Sequence, residues 1–491
     1  MSDVIVPPYP DWKALLEQSM KARPEIAAAV GAHEVLNARA DVAECAQRYT
    51  DYLLRAASER GIRLVDAGDL PDNSQDAAVM AGHQPVVFHP GLLFKAQILS
   101  KFSRESGALG IQVIIDTDAG DLCEISWPRV SGDALLVRRA SIACATVPSN
   151  QNVDAPVLYS AQQIKTRDEI HEIFSEMQTD LLAAGLDSAA ERARKVGAVY
   201  ELLAGCSLAM ANSIARWSFE RRGYREVPLS MLLRDTSLRH VVSKLAQDST
   251  RLFETYNGCL DNYRREHSIK NVANPFPNLK KRDDSFELPF WVVRDGERQP
   301  LWSSDKDLVD FGEETYLATR GSITTMILRA YCSDLFIHGI GGGKYDRFVD
   351  SFGAHYLGTP LSPFVVASRT RVINPSRVDE LSAAVLRGSS MKQVVSQTEL
   401  YLGKGIFTAQ EECRLREVLA KRARLREQLG TAASPEEKST VAHALNQMNT
   451  EVREVVQGSI LQSDVAELPR NQKLLEGWSY REFPYFLFEG D

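Results

Sequence analysis

Two short apolar runs, each ending in a polar loop, constrain the fold more than any other feature of the chain. Ala77-Ala78-Val79-Met80-Ala81 leads directly into Gly82-His83-Gln84-Pro85, and Ile111-Gln112-Val113-Ile114-Ile115 leads into Asp116. Runs this short and this apolar, the second rich in β-branched residues, fit strands buried on both faces of a parallel sheet. Residues 91–102 between them carry a helical apolar face. Strand, glycine-containing loop, helix and strand make a βαβ unit, and in open sheets of this kind ligands gather at the carboxyl ends of the strands. Both loops fall at such an end. A second unit repeats the outline, with a strand at Asp334-Leu335-Phe336-Ile337-His338, a loop over 339–343, a helix over 344–355 and a strand over 364–367. The expected fold is therefore α/β, a Rossmann-like parallel sheet core with helical insertions.

The other patterns divide the 491 residues around that core. Residues 1–75 read as an N-terminal helical lead-in, with apolar positions at helical spacing over 12–20 and 42–54 and a break at Pro71-Asp72-Asn73-Ser74. The core spans 76–375 and contains a charged helical insertion at about 160–210. Pro275-Phe276-Pro277-Asn278-Leu279 excludes helix, because proline fixes φ and removes a donor. The runs 286–293 and 298–303 flank Asp295-Gly296, a hairpin-turn pair. Over 376–465, Val441, Leu445, Met448, Val452 and Val455 recur at alternating steps of four and three, while Leu415, Leu419, Leu425 and Leu429 line an earlier arm. Ser434-Pro435-Glu436-Glu437 supplies an N-cap, a proline at the first helical position and a glutamate at the third. The expectation is a C-terminal antiparallel coiled-coil hairpin, serving as an internal packing arm or, the favoured reading, joining a homodimer. Residues 466–491 form a tail packing on the core.

Charge and cysteine usage narrow the function. A net charge of -8, from 57 basic and 65 acidic residues, opposes adventitious binding to nucleic acid or anionic membrane. The first residues lack a signal-peptide pattern, and no run approaches the roughly 20 apolar residues that span a bilayer, so a cytoplasmic location with no membrane partner is expected. Seven cysteines without CxxC spacing read as reduced, buried thiols. Cys123 alone stands close to a candidate site.

Three constellations can carry chemistry. Gly82-His83-Gln84 ends a strand, and His89-Pro90-Gly91 opens a helix whose unsatisfied N–H groups favour a phosphate or carboxylate. His83 and His89 add imidazolium charge or neutral hydrogen bonds, and Lys95 follows one turn later. Asp116-Thr117-Asp118-Ala119-Gly120-Asp121 brings three carboxylates to a strand end, where Mg²⁺ on Asp116 and Asp118, a ribose or an amino group offsets their cost; a solvated turn is the structural alternative. His338-Gly339-Ile340-Gly341-Gly342-Gly343-Lys344 has the composition of a phosphate cradle without the Walker A spacing, and Arg369 follows the next strand.

At these residues the chain resembles the bacillithiol cysteine-adding enzymes, a family with a Rossmann-like core akin to class I nucleotidyltransferases and a coiled-coil extension. Gly82 and Gln84 fall on the family's Gly-Gln-Gln turn, with His83 in place of the first glutamine, and His89-Pro90-Gly91-Leu92 falls on its Thr-Gly-Pro-Leu run. Asp118-Ala119-Gly120-Asp121 keeps the outer acids of the Glu-Asp-His-Asp signature, residues 339–343 correspond to its Gly-Gly-Pro-Gly-Glu loop without the glutamate, and Tyr345 falls on its tyrosine. The resemblance implies a ligase that joins an amino acid or amine to an acid-containing small molecule with help from ATP or ADP and Mg²⁺. In that scheme the turns at Gly82, Gln84 and Gly91 and Lys95 orient phosphate or carboxylate, Asp118 and Asp121 hold the amine or a metal, and His338 with Gly339, Gly341, Gly342, Lys344 and Arg369 closes the far side. Catalysis then rests on positioning and electrostatic stabilisation of an activated acyl group. Two other readings stand beside it: a small-molecule nucleotidyltransferase, and a non-enzymatic coiled-coil protein that keeps the fold as a nucleotide-binding or assembly module.

Overall fold

The apolar runs assemble into one six-stranded sheet. A computed structural model describes residues 2–65, 76–132, 134–146, 156–271, 274–305, 315–388, 391–404, 406–432, 434–459 and 467–489. The break at Pro71 to Ser74 and the boundaries drawn at 75 and 465 lie outside them. The strands are β1 (Ser2–Val6), β2 (Ala78–His83), β3 (Leu109–Ile114), β4 (Arg225–Pro228), β5 (Leu335–His338) and β6 (Phe364–Thr370), in the spatial order β4-β3-β2-β5-β6-β1. All neighbours are parallel except β1, which runs antiparallel to β6. The chain moves outward from β2 through β3 to β4, then crosses back to lay β5 on the other side of β2. The strand order thus reverses between β2 and β5.

Both faces of the sheet are covered, which is why β3 is buried at all six positions and reads as an uninterrupted apolar run. Side chains alternate across the pleat: Val79, Ala81, Leu335 and Ile337 enter one core, while Met80 and Phe336 enter the other. The first core contains Phe94, Ile98, Leu99 and Phe102 of helix α1 (Pro90–Ser106), together with the C-terminal aromatics Phe483 and Phe486. The second contains Val35, Ala38 and Val42 from the long N-terminal helix Ala32–Glu59, and Phe348 and Phe352 from the helix Ile340–Leu357. Helices Arg167–Ala183 and Asp187–Leu202 pack into the first core.

The N-terminal segment is not helical throughout. Before the helix Trp12–Val30, residues Ser2–Val6 form the edge strand β1, paired with β6 from Ser2↔Thr370 to Val6↔Val366. Five residues have too little periodicity to declare themselves; an open sheet edge more than 350 residues away supplies their hydrogen bonds. A separate antiparallel sheet has Ser285–Arg294 at its centre, flanked by Glu297–Trp302 on one side and Tyr316–Thr319 on the other. Its first turn places Asp295 and Gly296 at φ of 52° and 76°, the left-handed conformations that a two-residue hairpin requires. Near the C-terminus, helices Ala409–Thr431 and Pro435–Ser459 pack together: Leu415, Val418 and Leu419 meet Val452 and Val456, and Arg414 reaches Glu451 at 3.0 Å. No helix among the described residues is long and apolar enough to cross a membrane.

Asp334, 1% exposed just before β5, ties the N-terminal helices to the sheet. Its carboxylate accepts from Arg23 Nε at 2.9 Å, Arg39 Nη2 at 2.7 Å and the Ala78 N–H at 2.8 Å. Removing that charge strands Arg39 and leaves Arg23 only the exposed Asp76 at 2.6 Å, so the expected cost of Asp334→Asn is about 3 kcal/mol, near the low end for a broken buried pair. Urea unfolding monitored by circular dichroism measures it; an unchanged midpoint would refute the anchoring role.

Candidate functional site

The reversal of strand order leaves a crevice at the carboxyl ends of the parallel strands, the place where such sheets bind ligands. It is a cleft of about 610 Å³, bounded by Gly82, His83 and Gln84 after β2, Ile115, Thr117 and Asp118 after β3, and Phe336 and His338 of β5. The antiparallel sheet and the residues flanking it close the other side with Phe276, Asn278, Trp291, Arg298 and Arg320. The volume lies in the range of small-molecule sites.

Its polar wall is connected. Gln84 Nε2 donates to Asp118 Oδ2 at 2.9 Å, and Arg298 Nη1 donates to Asp118 Oδ1 at 3.1 Å. Trp291 lies between two guanidiniums, Arg298 at 4.5 Å and Arg320 at 4.2 Å from the ring, and Arg320 donates to Glu287 Oε1 at 2.6 Å. Cation–π stacking and ion pairing hold both arginines at the rim with fixed geometry. On β5, His338 Nε2 stands 3.0 Å from Asp346, whose carboxylate also accepts from Arg329 at 2.6 Å.

His83 is a neutral imidazole. Burial, with Lys95 nearby, lowers its pKa from 6.5 to about 3. Its Nδ1 lies 3.2 Å from the Gln84 carbonyl oxygen; donating to that acceptor places the proton on Nδ1 and leaves Nε2 as an acceptor. Lys95, buried beneath the strand end, donates from Nζ to Gly82 O at 2.7 Å, and burial lowers its pKa to about 8.

The expected constellation therefore separates. His83, Gln84, Gly82, Asp118 and His338 share the cleft. Lys95 braces its floor. His89 instead caps α1, its Nδ1 accepting from Gly91 N at 3.1 Å, and a Cβ at Gly91 would stand 2.9 Å from Arg369 O. Arg369 forms a fork on Asp3 with both contacts at 2.8 Å and stacks on Phe94. Asp116 is buried and turned to Ser230, accepting from its N–H at 2.9 Å and from its hydroxyl, so it shares no donor set with Asp118 for Mg²⁺. Asp121 and Lys344 are exposed outside the cleft lining. The expected loop over 339–343 is largely helix: Gly339 is the N-cap, and Gly341 and Gly342 lie in the first turn of Ile340–Leu357. Close packing explains two of the glycines, since a Cβ at Gly342 would approach His338 Nδ1 to 2.7 Å and one at Gly343 would collide with Val366. Cys123 is buried, and burial pushes its thiol up to about 11, which removes nucleophilic character.

Arg298, Arg320 and Trp291 were not singled out by sequence. The Asp295-Gly296 turn identifies their hairpin, but no local pattern says which cleft a hairpin covers. Fold and site together define an α/β protein with a polar crevice at the carboxyl ends of a mostly parallel sheet. Comparison with protein families finds no match to this chain, and comparison with curated proteins finds none either.

The lowered His83 pKa has a definite sign. The unfolded chain takes up a proton near 6.5 while the folded chain resists it down to about 3, so this contribution to stability is present above pH 6.5 and is lost as pH falls through that window. The unfolding midpoint of His83→Gln is expected to fall less steeply than that of the parent between pH 7 and about 4. Identical slopes would show that His83 titrates normally.

Proposed function

We propose that the sheet is a Rossmann-like core and that the chain is a nucleotide-assisted ligase, joining an amino acid or other amine to a small carboxylic acid, as its resemblance to the bacillithiol cysteine-adding enzymes implies. One observation carries this reading: His83 and His338 end the two strands between which the sheet order reverses, facing a cleft already braced by the Gln84–Asp118–Arg298 network. In this scheme Arg298 and Arg320 bind carboxylate or phosphate oxygens, for which planar guanidiniums are suited. Phe276 offers apolar surface to a planar group. Asp118, oriented by two donors, accepts from the ammonium of the incoming amine, and the Nε2 lone pair of neutral His83 accepts an N–H as the amine approaches. ATP supplies the activation of the acid when bound.

Ligand-induced thermal stabilisation tests this, because selective binding to the folded state raises stability as RT ln(1 + [L]/Kd). ATP or ADP with Mg²⁺, with and without amino acids, is expected to raise Tm in the parent chain and not in His83→Ala or Arg298→Gln. No shift with any nucleotide would remove the ligase reading. Release of pyrophosphate with the nucleotidyl group retained on the product, rather than freed as AMP or ADP, would reassign the cleft to nucleotidyl transfer.

The paired C-terminal helices are read as an antiparallel coiled coil that also joins two copies. Support comes from a seam buried at Val452 and Val456 but only half-covered at Leu425, Leu429, Val441 and Leu445, nearer the connecting turn. Light scattering is expected to give a dimer mass for the parent and a monomer for Leu425→Asp/Leu445→Asp; a monomeric parent would overturn it.

A further inference from the structure

A second cleft, of about 470 Å³, runs along one face of α1 from Pro90 through Ser100 to Arg104, beneath residues 485–489, and shares no lining residue with the first. In a chain of net charge -8 it gathers five arginines, Arg104, Arg192, Arg221, Arg369 and Arg371, against two glutamates, Glu220 and Glu489. Much of that charge has structural work: Arg192 donates to the Phe486 and Leu487 carbonyls at 2.9 Å, Arg371 to the Glu489 carbonyl at 2.9 Å and Arg104 to the Ser100 hydroxyl at 2.6 Å, and Arg369 pairs with Asp3.

Two buried atoms in the lining are left over. Glu220 Oε2 and the Tyr485 hydroxyl, on residues each 8% exposed, have no hydrogen-bond partner among the described residues. The other Glu220 oxygen is engaged by Arg216 at 3.2 Å and Tyr224 at 3.3 Å. Burial pushes the Glu220 carboxyl up to about 8, toward its protonated, donating form. The wall is then dominated by donors: guanidiniums that cannot accept, a carboxylic acid and a phenol. Buried polar groups left unpaired are costly, and clustered cations repel, so such a lining suits an oxygen-rich anion.

We propose that this cleft is a second binding site, for a small organic anion bearing at least two carboxylate or phosphate groups. The anion's oxygens span the arginines and reach Tyr485 and Glu220, while its carbon skeleton lies against Phe219 and Phe488. This occupancy is independent of the reaction proposed for the first cleft.

Titration calorimetry of the full chain with tricarballylate, inorganic phosphate and pyrophosphate tests it. Arg104 and Arg221 are both exposed, so Arg104→Gln/Arg221→Gln should fold normally, which a thermal melt checks. The expected result is saturable one-to-one binding of at least one probe, weakened about tenfold by that pair of substitutions, as loss of a charge-assisted hydrogen bond implies. Tyr485→Phe should weaken it less, and His83→Ala should leave it unchanged. The preferred probe identifies carboxylate or phosphate. Failure of every probe to saturate, or binding lost in His83→Ala but retained in Arg104→Gln/Arg221→Gln, would overturn the site and leave the first cleft's reading untouched.

Discussion

The carboxylate of Asp334 fixes the start of β5 to everything around it. It holds Arg23 and Arg39 from the two N-terminal helices and the first N–H of β2, while its own N–H donates to Ala78 O at 2.8 Å. Four residues later the same strand ends at His338 in the cleft. A four-residue strand has few ladder bonds of its own, so its position depends on what grips its ends. Asp334 grips the amino end, while Asp346 lies within 3.0 Å of the His338 ring at the other. The reversal of strand order, and the crevice it opens, rest on this strand lying beside β2.

The cleft shows how burial selects chemistry. His83 is held neutral because an imidazolium there would lose water and face Lys95. Lys95 is itself pushed toward neutrality and spends a hydrogen bond on Gly82 O. The charges that persist at the rim, Asp118, Arg298, Arg320 and Glu287, are those that found opposite partners. The histidine therefore works as a hydrogen-bonding group, and the arginines carry the positive potential.

Part of this was legible in the chain. Gly82-His83-Gln84 and Asp118 fall at strand ends, and the rule that parallel strands deliver ligands there needs only the pattern of apolar runs. The same rule failed for His89, Gly91 and Arg369 because side-chain direction intervened: His89 turns back onto the N–H of Gly91, and Arg369 turns out to Asp3. Asp116 and Asp118 are two residues apart but serve different strand ends, one bound to Ser230 after β4 and the other to Gln84 after β2. Glycine content misled at 342 and 343, where missing Cβ atoms let a helix pack closely on its own sheet.

The sequence by itself determined the alternation of short buried strands with amphipathic helices, the hairpin at Asp295-Gly296 and the apolar seam of the C-terminal helices. Each is written in local periodicity or in a residue's own backbone preference. Only the tertiary structure decided that β5 lies against β2, that residues 2–6 close the sheet edge, and that Arg298, Arg320 and Trp291 cover the cleft. These are pairings between segments up to hundreds of residues apart. They are set by the burial of both sheet faces and by the few partners available to a buried charge, and neither leaves a trace in the spacing of nearby residues.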